Sequence, residues 1–297
     1  MSAPDRMAQL TPLAGLSFTK MTGTGNDFIL MDNRQAKVPK AVMPLLAEAI
    51  CKRGRSVGAD GLILLSPSAR VDPNLGKVDF LWDFFNADGS SAEMCGNGGR
   101  CAARYALDKG LAGPEMVFDT LAGPIRAWVK GPAVKLEMVK PFDAFHGLEL
   151  EAAGAMVCLD GVNTGVPHAV VPVDDLEAAP VTEMGRELRF HQHFSPAGTN
   201  VNFCAPQSDE LWVRTYERGV EDETLACGTG AVAAALMAGA KGLLQPPVTV
   251  RVRSGEKLIV HFAQDHEGGF SEVFLEGPAS YVYEGVLNQE AFAWLAV

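Results

Sequence analysis

Two cysteines in this chain carry the same surroundings. Cys95 opens CGNGGRCAARYALDKGL and Cys227 opens CGTGAVAAALMAGAKGL, and a shift of 132 positions superposes nine of seventeen residues without a gap. A thiol at the start of a helix faces backbone N–H groups that have no helical acceptor, and the positive end of the helix dipole. Its pKa then falls below the free value of about 8.5. The glycines that follow let a ligand approach the backbone closely, so the same turn can cradle a carboxylate. Two such thiols, on opposite sides of one carbon, suit stereoinversion: one takes a proton and the other delivers one. The carboxylate becomes enolate-like in the transition state and is stabilised by the helix N-termini.

Those roles require two helices, each positioned by its own domain. The spacing predicts helices over Gly96–Asp108 and Gly228–Ala240, ended by Gly110 and Gly242 as left-handed caps. FILMD (28–32), GLILL (61–65), VDFLWDFFN (78–86) and PIRAWVKGPAVKLEMV (124–139) read as strands and turns, and PKAVMPLLAEAICKR (39–53) as a helix. HAVVPV (168–173), NVNFC (200–204), ELWVRTYE (210–217), VTVRV (248–252), KLIVHF (257–262) and EVFLEG (272–277) repeat the theme. TGTGNDFIL from Thr22 and TGVPHAVVP from Thr164 form a second echo 142 positions apart, a loop-sized difference from 132. Two duplicated domains follow, with a boundary near VKPFDAF (139–145).

Composition narrows the function classes. The 297 residues are 47% hydrophobic and 21% charged, enough for two domains with real cores. A balance of 25 basic against 36 acidic residues gives −11, which argues against nucleic acid or anionic membrane partners. No apolar run approaches the roughly 20 residues a bilayer demands, and the N-terminus lacks the pattern of a secretory signal. Six cysteines without a C-x-x-C pair indicate neither a disulfide framework nor structural zinc, and they fit a reducing cytoplasm. Cys51, Cys158 and Cys204 are expected to be core filler. Cys101 lies about 240° around the helix from Cys95 and is expected in the core too.

At these residues the chain resembles the diaminopimelate epimerases, pyridoxal-phosphate-independent enzymes that interconvert the LL and meso forms of diaminopimelate. GTGNDF (23–28), GADG (58–61), FFNADGSSAEMCGNGGRCAARY (84–105), NTGVPHAVV (163–171), GTNVNF (198–203) and YERGVEDETLACGTGAVAAA (216–235) carry the resemblance. It implies an α+β fold of two pseudo-symmetric domains, each a curved sheet or barrel around a central helix, with the active site in the interdomain cleft. The N-terminal domain would comprise 1–138 with 277–297, and the C-terminal domain 139–276. The resemblance further implies no cofactor or metal, a small amino-acid substrate and a homodimer.

It implies Cys95 and Cys227 as paired acid and base, with Gly96, Asn97, Gly228 and Thr229 cradling the reacting centre. Glu217 would hold the α-ammonium with His168 close by, and Asn26, Asn86, Asn200 and Arg218 would recognise the distal centre. An Arg fork suits a carboxylate, and Asn supplies both donor and acceptor. Taken singly, Asn26 and Asn86 are also ordinary turn formers, Glu217–Arg218 an ordinary surface pair, His168 an ordinary satisfied polar residue, and Asp27, Asp60 and Asp88 structural turn residues. Val166 stands where many members have Asn, and Gly61 where some have Gln, so distal contacts differ here. A related racemase for histidine or hydroxyproline is the alternative. A reversible Cys95–Cys227 disulfide is a further reading from a different class, one that leaves YERG and NADGS without a role.

Overall fold

The computed structural model describes residues 2–91, 93–265 and 268–296, and the chain divides into two compact units, Met1–Leu136 with Pro278–Val297, and Glu137–Gly277. In the first unit, Ser17–Gly23 and Asn26–Asp32 form a hairpin whose two turn residues, Thr24 and Gly25, both take positive φ (56° and 93°). Such turns match the twist of paired strands. Asn26–Asp32 continues parallel to Gly61–Pro67, which pairs antiparallel with Phe80–Asn86. Phe80 and Leu81 pair parallel with Phe118 and Asp119, and Glu115–Thr120, Gly123–Lys130 and Ala133–Glu137 follow as a meander. Ser280–Val286 closes the other side, antiparallel to Ser17–Gly23.

The helix Gly96–Asp108 packs on four of these strands, Ser17–Gly23, Asn26–Asp32, Gly61–Pro67 and Gly123–Lys130. Ten of its thirteen residues are buried, from Gly96 through Ala103 with Tyr105 and Ala106. Small side chains let the sheet close tightly around it: a Cβ on Gly23 would lie 2.7 Å from the carbonyl oxygen of Asn97. The outer face of the same sheet carries Ile29, Met31, Leu62 and Leu64, covered by helices Ala3–Leu10, Met43–Ile50 and the turn Gln289–Ala296. Both faces are buried, and for that reason these strands read as continuous apolar runs.

The second unit repeats the order. A hairpin, Ala155–Asn163 and Pro167–Pro172, precedes an outer helix, Val181–Arg189. A parallel strand, Asn200–Gln207, and its antiparallel partner Glu210–Glu217 follow. Then come the helix Gly228–Ala240, a strand parallel to the last, Val248–Arg251, and two antiparallel strands, Lys257–Gln264 and Phe270–Pro278. Phe142–Ala152 flanks the first strand, as Ser280–Val286 does in the other unit. The central helix packs on six strands and shares a core with Val162, Leu211, Val250 and Val260. Val171, Val201, Phe203 and Tyr216 face the outer helix.

Both cysteine helices span the predicted residues. Each ends in the same capping pattern: Gly110 and Gly242 take φ of 66° and 69°, and Leu111 and Leu243 donate back to Ala106 and Ala238 at 2.8 and 3.0 Å. That is why Lys-Gly-Leu recurs. The predicted helix over 39–53 is shorter, Met43–Ile50. Pro44 occupies its first turn, and the residues before it form a turn in which Val42 donates to Pro39.

Candidate active site

In the first unit three strand ends share an edge with the start of the cysteine helix. Asn26 begins its strand, Gly61 begins the parallel neighbour, and Asn86, opposite Gly61, ends the next one. Cys95 is the half-buried N-cap residue, extended at φ −143°, ψ 117°. The first intrahelical bond runs from Gly99 N–H to the Cys95 carbonyl at 2.8 Å, so the N–H groups of Gly96, Asn97 and Gly98 have no helical acceptor.

Side-chain bonds fix that helix start. Asn97 Nδ2 donates to Asn26 Oδ1 at 2.7 Å, and Asn26 Nδ2 donates to Asp60 Oδ2 at 3.0 Å. Arg100, fully buried, donates to Asn97 Oδ1 at 2.8 Å, to the Gly96 carbonyl at 3.3 Å and to the Thr24 hydroxyl. Behind Asn26, Arg53 donates to Asp60 at 2.8 Å and also to Asp27, which Lys20 approaches at 2.8 Å. Burial pushes the Asp27 carboxyl up, but Arg53 and Lys20 outweigh it and hold it below the usual carboxylate range. Asn86 is exposed and donates to Ser90 Oγ at 2.9 Å. A Cβ on Gly61 would lie 2.5 Å from the ring of Phe84 and 2.7 Å from the Phe85 carbonyl oxygen, so no larger side chain fits here without a shift of the neighbouring strand.

The second unit assembles the equivalent edge. His168 and Asn200 lie side by side at the starts of parallel strands, and Glu217 ends the antiparallel one. Arg218 follows Asn86 by 132 positions, the same interval that separates the cysteines. Cys227 is the N-cap of its helix at φ −119°, ψ 111°, buried, with Sγ 3.5 Å from Thr229 Oγ1. The Ala231 N–H makes the first helical bond, to the Cys227 carbonyl at 2.9 Å, so the N–H groups of Gly228, Thr229 and Gly230 likewise have no helical acceptor. Thr164 Oγ1 donates to the Thr229 carbonyl at 3.1 Å and ties the helix start to the hairpin turn that precedes the strand carrying His168.

Asn200 donates to the Pro167 carbonyl at 3.1 Å and accepts from the Arg218 backbone N–H at 2.9 Å. Burial raises the pKa of Glu217, while the Thr224 hydroxyl, donating at 2.9 Å, pulls it back part of the way. Burial, and then the positive charge of Arg218, depress His168 to about 3, so it is neutral.

Sequence reasoning missed Arg100, the role of Asp60 as the acceptor that orients Asn26, and Asn202. Asn202 is fully buried, donates to the Ala169 carbonyl at 2.9 Å and faces His168 Nδ1 at 3.1 Å. The signal was present in NVNF, where two Asn alternate with two apolar residues and so share one face of a strand. Cys51, Cys101 and Cys204 are buried as expected, and burial pushes the Cys51 and Cys204 thiols up to about 12. Cys158 corrects the expectation: it is exposed, because it points outward between buried Val157 and Leu159. Among the described residues no cluster of His, Cys, Asp or Glu is arranged to hold a metal ion, and no helix is long and apolar enough to cross a membrane.

Comparison with known proteins gives these edges a context. The sequence model of one family, diaminopimelate epimerase, matches residues 18–141 and 161–282. A diaminopimelate epimerase of Aquifex aeolicus (strain VF5) is 45% identical over 289 residues, covering 94% of this chain and all of that protein. A diaminopimelate epimerase of Archaeoglobus fulgidus is 40% identical over 287 residues, covering 92% of this chain and 96% of that one. Among solved structures, a PhzF-family phenazine biosynthesis protein of Bacillus anthracis superposes with a TM-score of 0.67 at 15% identity, over 91% of this chain and 98% of that one. A hydroxyproline epimerase of Agrobacterium vitis superposes with a TM-score of 0.64 at 18% identity, over 92% of each chain. At such identities these structures share the fold.

Proposed function

The chain belongs to the diaminopimelate epimerase family, and on that premise we propose a two-thiol mechanism in which Cys95 and Cys227 act on opposite faces of one Cα. The enzyme is an isomerase that epimerises LL-diaminopimelate to the meso form. One observation carries the mechanistic reading: each unit, built on the same strand order, places its cysteine directly before a helix with three N–H groups lacking helical acceptors.

The substrate carboxylate is held by the N–H groups of Gly96, Asn97, Gly228 and Thr229, and Glu217 accepts from the α-ammonium. A thiolate removes the Cα proton, and the electron pair passes into the carboxylate as an enediolate. Fixed N–H dipoles stabilise the added charge without reorganising. The other thiol then delivers a proton to the opposite face. One thiol is consumed and one formed, so the enzyme returns with its two sulfur atoms exchanged in protonation and needs no outside acid. Asn26, Asn86, Asn200 and Arg218 bind the distal amino-acid centre, and specificity for a second ammonium and carboxylate follows from them. The reaction serves lysine and peptidoglycan-precursor biosynthesis in the cytoplasm, and the working form is a homodimer.

Incubation with LL-diaminopimelate in deuterated water tests the mechanism. The wild-type enzyme incorporates deuterium at Cα and inverts it, whereas Cys95→Ala and Cys227→Ala each fail to invert. Full inversion by either variant refutes the two-thiol reading, and rapid turnover of histidine or hydroxyproline with none of diaminopimelate refutes the substrate.

A further inference from the structure

One buried polar cluster in the second unit is used by no step above. Asn202, His168 and Thr215 are each almost wholly shielded from solvent, and they lie on elements that pack against the Cys227 helix. Asn202 touches the first turn of that helix: a Cβ on Gly230 would overlap Asn202 Oδ1 and approach Cys227 Cβ to 3.3 Å. The corresponding glycine of the other helix, Gly98, instead faces an aliphatic side chain, with Ile63 Cδ1 3.2 Å from where its Cβ would be. The second unit has therefore placed an amide where the first has hydrocarbon. Burying an amide is unfavourable unless its bonds are all made.

Both N–H groups and the oxygen of the Asn202 amide are engaged, and in only one orientation. The Ala169 carbonyl can only accept, so the nitrogen of Asn202 faces it. The Thr215 hydroxyl donates to Asn202 Oδ1 at 2.9 Å. The same amide nitrogen lies 3.1 Å from His168 Nδ1, which must then accept. A neutral imidazole that accepts at Nδ1 carries its proton at Nε2, and a protonated imidazole has no lone pair to offer. Among the described residues Nε2 has no hydrogen-bond partner although it is buried. It is a donor awaiting an acceptor.

We propose that Asn202 is a positioning residue that locks His168 as the neutral Nε2–H tautomer, so that His168 donates a hydrogen bond to the substrate α-carboxylate. An ammonium group has no lone pair and cannot satisfy an N–H donor, and this assigns His168 to the carboxylate and leaves the ammonium to Glu217. The assignment of ligand rests on the function proposed above. The tautomer does not.

Nitrogen-15 NMR of histidine-labelled protein decides it, with His168 identified among the six histidines by the signal lost in His168→Gln. In ligand-free enzyme from pH 6 to 8, His168 shows an unprotonated Nδ1 and a protonated Nε2. A protonated Nδ1 overturns the proposal. On saturation with LL-diaminopimelate the Nε2 proton shifts downfield and exchanges more slowly. A substrate that turns over while that proton stays unmoved overturns the carboxylate assignment. Absence of any turnover points instead to failure of the proposed function, and the ligand-free spectrum still decides the tautomer. Asn202→Asp offers Nδ1 an acceptor and moves the proton there, with kcat/KM falling about tenfold or more. Asn202→Leu, which reproduces the hydrocarbon of the first unit, gives mixed tautomers and a similar fall. If both variants fold, keep the Nε2–H form and stay within twofold of wild-type kcat/KM, Asn202 does not position His168.

Discussion

Asn26 and Asn97 lie 71 positions apart and are joined by a 2.7 Å hydrogen bond from the amide nitrogen of Asn97 to the side-chain oxygen of Asn26. The bond closes a chain that runs from buried Arg100 through Asn97 and Asn26 to Asp60, so each amide is oriented by its neighbours. The start of the first central helix is thereby fixed by side chains drawn from separate stretches of the first unit.

Asp60 holds the far end of that chain. Asp60→Ala removes the acceptor for both Asn26 Nδ2 and the Asp27 backbone N–H. KM rises by about tenfold with a smaller change in kcat, and stability falls by about 1–3 kcal/mol for the donors left unpaired. Steady-state kinetics and urea unfolding check both parts, and unchanged kinetics would separate Asp60 from substrate recognition.

Gly230 tests the packing of the second helix start. With a methyl group there, Asn202 or the helix must move, and overpacking of this kind costs about 1–3 kcal/mol. Gly230→Ala is expected to lower the urea midpoint and to lose most activity. Gly113→Ala serves as the control: the nearest atom to its Cβ is the Glu115 carbonyl oxygen at 3.8 Å, and stability should change by less than about 1 kcal/mol.

His168 makes stability depend on pH with a definite sign. Its folded pKa of about 3 lies below the ordinary 6.5, so between those values the unfolded chain binds the extra proton. Stability is therefore intact above pH 6.5 and falls as pH drops toward 3, by up to about 1.4 kcal/mol per pH unit from this group. Urea midpoints measured from pH 7 to pH 4 should fall less steeply in His168→Gln. Parallel curves for the two proteins would show that His168 is not buried in neutral form.

Thr224 restrains the pKa of Glu217. Its hydroxyl favours the carboxylate, and Thr224→Val removes that favour while keeping the side-chain shape. The Glu217 pKa then rises further, and the acid limb of kcat/KM moves to higher pH while the plateau changes little. A limb that stays in place would mean that ionised Glu217 is not needed for turnover.

Much of the molecule was legible from short stretches. Helix starts and ends depend on residues within about five positions, so Cys-Gly-x-Gly and Lys-Gly-Leu defined both central helices to the residue. The duplication was legible for the same reason, since each unit had to repeat its caps and turns. Continuous apolar runs announced sheets covered on both faces.

Other properties came only with the folded chain. Whether Cys158 faces out, or Asn202 in, depends on which face of a strand meets a helix far away in sequence. Arg100 reads as one more helix residue until the sheet closes over it and gives it acceptors on Asn97, Thr24, Gly96 and Pro278. The sequence by itself determined where the two cysteines stand and how their helices begin and end, because capping acts within a helical turn. Tertiary structure decided which polar atoms find a partner and which, like His168 Nε2, do not. Hydrogen-bond satisfaction in a buried site is settled by partners tens of residues away, such as Asn202 and His168, 34 positions apart.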